Sequence, residues 1–128
     1  MISGWRFARL AAQAGWELLR YDVVYAVRGF RGVYAGCRRI LPKDGDPEWK
    51  PAILQAVGAA CCFYWKRVLC LERAIVTARL LRRYGFDAEV VIGCRSLPFS
   101  GHAWVEIAGD IVNDSPGYQQ KLRVLDRF

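Results

Sequence analysis

The chain has 128 residues, 54% apolar and 24% charged, the composition of one folded domain rather than a disordered tail. Its net charge of +7 favours acidic peptides, proteins or surfaces as partners. No nucleic-acid motif accompanies that charge and the arginines are scattered through apolar stretches, so no nucleic-acid partner is expected.

From Gly4 to Cys37 the chain reads as helical: Phe7, Leu10, Ala11, Ala14 and Leu18 recur at three-and-four spacing, and Tyr21, Val24, Tyr25 and Val27 continue it less regularly. Gly29 and Gly32 are expected to break the pattern. Arg6, Arg9, Glu17, Arg20 and Asp22 interrupt every apolar run before a signal core or a membrane span can form. Tyr34-Ala-Gly-Cys37 resembles a lipoprotein cleavage site, but Arg28 and Arg31 stand where its apolar region belongs. No membrane association is expected, and the reading is of a soluble cytoplasmic protein. Leu41 to Pro51 concentrates three prolines with Gly45 and several charges, which predicts a loop. A helix from Pro51 to Tyr64 should follow, with proline at its first position.

Next comes Val68 to Phe86, an amphipathic helix with Leu71, Ala74, Ile75, Ala78 and Leu81 as its buried stripe. Arg73, Arg79, Arg82 and Arg83 should point outward, and Gly85 should end it. The period then changes. Phe86 to Cys94 reads as a strand, Arg95 to Gly101 as a loop, His102 to Asp114 as a hairpin, and Leu122 to Phe128 as a last extended piece. Helices followed by a small antiparallel sheet make an α+β fold. The chain divides into a helical part (1–40), a loop (41–50) and a core (51–128), all one domain.

Cys70 opens the amphipathic helix, where backbone N–H groups lack intrahelical partners and the dipole is positive. That position favours a thiolate, the nucleophilic form, and makes the Cys70 backbone N–H a candidate oxyanion donor. Trp65 or Gln55 could supply a second donor. The other thiols, Cys37, Cys61, Cys62 and Cys94, take no assigned role. Adjacent Cys61 and Cys62 diverge on a helix and should not pair, and five cysteines without a CxxC spacing, beside one histidine, offer neither a disulfide framework nor a zinc site. No cofactor is implied.

A base must come from His102, the single histidine. On its strand His102, Trp104 and Glu106 share one face. A three-residue loop Ile107-Ala108-Gly109 would pair His102 with Asp114 on that face, whereas a two-residue Ala108-Gly109 loop would put Asp114 on the other. Glycine at the third loop position favours the first register. Cys70, His102 and Asp114 would then form a nucleophile, a general base and an orienting carboxylate. Singly, a cysteine before a helix, a histidine on a strand and an aspartate after asparagine are commoner in structural roles.

The segments Cys70 to Gly93 and His102 to Asp114 resemble the transglutaminase-like superfamily of papain-type cysteine enzymes. More narrowly they look like the leader peptidases of lasso-peptide biosynthesis. The resemblance rests on Cys70-Leu71, Arg73, Leu80-Leu81, Gly85, Ile92-Gly93, His102 to Glu106 and Val112 to Asp114, with Cys94 where valine is common. It implies a catalytic triad of Cys70, His102 and Asp114 that cuts a ribosomally made bacterial precursor peptide between leader and core. The freed core amine is then joined by a separate ATP-using synthetase; no nucleotide-binding loop is present here. It further implies a leader-recognition domain, fused or separate. About forty residues precede the loop, too few for the fused form, so a separate leader-binding protein is expected, with the synthetase as a further partner. Trp5, Arg6, Arg9, Trp16 and Arg20 are either its docking face or core. The same triad would also serve a transamidating acyl transferase, and the fold alone could persist as a non-catalytic scaffold.

Overall fold

The computed structural model describes residues 3–38, 48–96, 99–114, 117, 119 and 122–128; most of the predicted loop, residues 41–47, lies outside them. Three helices, α1 (Gly4–Arg38), α2 (Trp49–Phe63) and α3 (Cys70–Arg83), precede four strands, β1 (Ala88–Ser96), β2 (Phe99–Ile107), β3 (Asp110–Ile111) and β4 (Arg123–Arg127). All strand pairs are antiparallel and the order is β3-β2-β1-β4. The α+β expectation holds, and Leu122 to Phe128 does supply a strand.

The apolar spacing of α1 puts Leu10, Ala14 and Leu18 wholly inside, whereas Tyr25 and Val27 are exposed. Only Gly29 interrupts the helix: with φ 67° and ψ −162° it bends the chain, which resumes its helix to Arg38. Gly32 serves that bend without breaking anything, since a Cβ there would lie 2.5 Å from Arg28 Cβ. Helix α2 begins at Trp49, so Pro51 is its third residue rather than its first.

Helix α3 is the centre of the molecule. It packs on α1 and α2 on one side and on β1 and β2 on the other. Glu72 and every residue from Ala74 to Leu81 are therefore buried, Arg79 included, which corrects the outward orientation expected for that arginine. Arg79 Nε donates to Glu17 Oε2 at 2.7 Å and its NH1 to Gly36 O at 2.5 Å. Arg82 donates to Ala88 O and Cys37 O. Gly85, at φ 98°, turns the chain out of the helix while Phe86 N donates back to Leu81 O. The strand begins two residues later than predicted, at Ala88.

The sheet is covered unequally. Ala88, Val90, Ala103 and Val105 belong to the main core that also contains α3, while Val91, Trp104 and Leu122 form a small second core on the opposite face. Phe128 exchanges both backbone hydrogen bonds with Val90 and sets its ring 4.5 Å from that of Tyr34, tying the sheet to the end of α1. Among the described residues no helix is long and apolar enough to cross a membrane.

Candidate active site

An open cleft of about 540 Å³ is lined by Val68, Cys70, Arg73, His102, Ala103, Asn113 and Asp114. All three residues singled out as a nucleophile–base–carboxylate set meet there. Cys70 is the first residue of α3 and is exposed; Leu69 before it is extended (φ −88°, ψ 169°) and no side chain caps the helix. The first N–H groups of that helix, Cys70's among them, consequently point out of its end without intrahelical acceptors.

The segment feeding Cys70 into the helix is pinned to α1. Lys66 Nζ pairs with Asp22 Oδ1 at 2.9 Å and with Glu72 Oε1 at 3.2 Å, and the Tyr64 hydroxyl donates to Asp22 Oδ2. Burial and the neighbouring Asp22 push the Glu72 carboxyl up. Burial pushes Asp22 the same way, but hydrogen bonds from Tyr64 and Lys66 outweigh it and hold that carboxyl below its ordinary value. Burial also raises the Tyr21 phenol to about 12.

On β2 the predicted face exists. The His102 and Trp104 rings lie nearly parallel with centroids 6.1 Å apart, and Trp104 Nε1 donates to Glu106 Oε2 at 2.7 Å. Arg127 extends the row, its NH1 2.9 Å from Glu106 Oε1 and 3.6 Å from Glu89 Oε2. It thereby separates two carboxylates that stand directly opposite on β1 and β2. Burial raises the Glu106 carboxyl, but the hydrogen bonds from Trp104 and Arg127 outweigh it and the net direction is down. Gly93, opposite His102, leaves room for the Trp104 ring. A Cβ there would lie 2.9 Å from the ring and 3.1 Å from Leu122 Cβ.

The hairpin reaches Asp114 by a different route from the one expected. Ile107 pairs with Asp110 and Glu106 with Ile111, so the loop is the two-residue Ala108-Gly109, with both residues at positive φ (51° and 83°) as a type I′ turn requires. In a continued ladder that register would send Asp114 to the far face. The ladder instead ends at Ile111. Val112 N still donates to Val105 O, but the next bond is made by a side chain, with Val105 N donating to Asn113 Oδ1 at 2.8 Å. Freed from strand alternation, Asp114 turns back, and its Oδ2 lies 2.5 Å from His102 Nε2. Gln119, 6% exposed, donates to the same oxygen at 3.0 Å.

Asn113 and Gln119 were thus missed by sequence reasoning. The Asn-Asp pair could have signalled a side chain substituting for the ladder; nothing local marks a lone glutamine. Of the proposed second oxyanion donors, Trp65 is 77% exposed and neither it nor Gln55 lines the cleft. Trp5 and Trp16 are 65% and 63% exposed, which decides against core for both. All five cysteines are free thiols. Among the described residues no three His, Cys, Asp or Glu side chains cluster as a metal site.

The family model of the transglutaminase-like superfamily matches residues 15–127. The microcin J25-processing protein McjB of Escherichia coli is 41% identical over 56 residues, a match that covers 44% of this chain and 27% of that protein. No solved structure matches.

Proposed function

We propose that this chain, which belongs to the transglutaminase-like superfamily, is a cysteine peptidase that removes the leader from a ribosomally synthesised lasso-peptide precursor. The observation that carries the reading is the convergence of Cys70, at the start of α3, and the His102–Asp114 pair on one open cleft. Similarity to a microcin J25-processing protein supports a peptide as substrate.

In this mechanism Asp114, steadied by Gln119, holds Nε2 of His102, so proton exchange with the thiol falls to Nδ1. The Cys70 thiolate attacks the scissile carbonyl and the backbone N–H groups at the start of α3 receive the oxyanion. His102 delivers the proton to the leaving amine of the core peptide. Water activated by the same imidazole then hydrolyses the thioester to release the leader. The stack on Trp104 and the pins on Tyr64 and Lys66 keep base and nucleophile in place between the two steps.

The proposed partner is a leader-binding protein. The exposed Trp5 and Trp16 on α1, with the basic residues beside them, give it a docking face. Free cysteines accord with a cytoplasmic setting.

The test is incubation with the precursor encoded beside this gene and its leader-binding protein, read by mass spectrometry, with Cys70→Ala and His102→Ala alongside. One cut at the leader–core junction, lost in both variants, is expected. A joined rather than split product would assign transamidation, and an intact precursor with the partner present would leave only a scaffold.

A further inference from the structure

Helix α3 carries four arginines, and three of them are consumed by the fold. Arg79 is held by Glu17 and Gly36, Arg82 by the carbonyls of Ala88 and Cys37, and Arg83 pairs with Glu17 at 3.3 Å. Arg73 differs. It is exposed, lies on the cleft wall with Cys70, and makes no ion pair among the described residues. The cleft offers it little competition: Asp114, the acid there, is engaged by His102 and Gln119.

Position and chemistry then converge. Three residues after Cys70, Arg73 lies on the same face of the helix, about 4.5 Å further along its axis. A guanidinium is a rigid fork suited to a carboxylate; that of Arg73 rests beside α2, its NH2 3.6 Å from where a Cβ on Gly58 would lie, on a side chain that lines the cleft, and among the described residues no internal carboxylate holds it there. An extended peptide advances about 3.3 Å per residue, so a chain held at Cys70 presents to this fork side chains within about three residues of the attacked bond. We infer that Arg73 is a specificity-determining residue that binds an Asp or Glu side chain of the substrate at such a position. The inference rests on Cys70 as the nucleophile of the proposed peptidase, but its first test does not require cleavage.

That test compares alkylation of Cys70 by iodoacetate and by iodoacetamide at low ionic strength, with each cysteine read separately by peptide mass mapping. The ratio of the two rates cancels any change in the thiol itself. Exposed Cys62, which is not on the cleft wall, reports the background preference of a cationic protein for an anion. Expected is an iodoacetate preference at Cys70 that exceeds the one at Cys62 by about three- to tenfold and fades with salt. Arg73→Gln should collapse it to the Cys62 value and Arg73→Lys should keep part of it; equal ratios in the parent and Arg73→Gln, with unchanged melting curves, overturn the inference. A second measurement uses precursor peptides with Glu or Gln placed in turn at the three positions on either side of the junction. At one position Glu should raise kcat/KM about tenfold in the parent and not in Arg73→Gln; a gain that survives in Arg73→Gln also overturns it. If no peptide is cut by the parent, the peptidase reading fails while the alkylation ratio still decides the case for Arg73.

Discussion

The two ends of α3 are built for opposite purposes. At its far end Arg79 and Arg82 are bound to α1 and to the sheet, and Glu17 is buried against Arg79 at 3% exposure. At its near end Cys70 and Arg73 are exposed, no side chain caps the helix, and a cleft opens. One helix thus ties α1 to the sheet with one end and leaves unsatisfied groups facing an open cleft with the other. Changes at the near end should cost chemistry and leave the fold alone, whereas changes at the far end should do the reverse.

The sharpest test of that division is Cys70→Ala. Cleavage should fall by about 10⁴-fold or more with the melting temperature unmoved, measured by mass spectrometry and thermal melts on one preparation. Asp114→Ala should follow at about 10²- to 10⁴-fold, since in the proposed mechanism it orients His102 rather than reacting. A large loss of stability in either variant would break the comparison. Arg79→Ala should leave the buried Glu17 carboxylate with only the exposed Arg83 as partner and cost up to about 3–5 kcal/mol, lowering the melting temperature by up to roughly 10–20 °C. An Arg79→Met, Glu17→Leu double variant should recover most of that loss, because no charge is then left buried alone. On β1, away from both ends of α3, Gly93→Ala should cost about 1–3 kcal/mol by forcing the Trp104 ring away.

The smallest effect is on acid stability. The Glu106 carboxyl titrates below its ordinary value of 4.5 in the folded chain, so its contribution is complete above that value and is lost as the pH falls through the folded one. Melting temperatures of the parent should fall more steeply below pH 4.5 than those of Glu106→Gln. Parallel curves would show that the Trp104–Glu106–Arg127 row contributes nothing.

How legible all this was in the sequence follows the same division between local and distant causes. Helix existence, the α+β order, the thiol at a helix start and the shared face of His102, Trp104 and Glu106 are products of short-range periodicity. Arg79 misled because helical periodicity finds one buried stripe, and α3 is covered on two sides. A partner 62 residues away is needed to see that its charge is satisfied. The hairpin misled in a more instructive way. Glycine at residue 109 was read as favouring the three-residue loop; the loop has two residues, and only a departure from the ladder at Asn113 lets it bring Asp114 to His102. Gln119 left no local trace, because its role depends on a contact with Asp114 that no periodicity encodes.

The Trp104 ring is 1% exposed, whereas Trp5, Trp16 and Trp65 are mostly in solvent. Its emission should therefore form the blue edge of the protein's fluorescence. Stacked beside His102, it sits where gain or loss of the imidazolium charge would change its quenching. The chain thus carries its own optical reporter of His102, one that could be followed without a label.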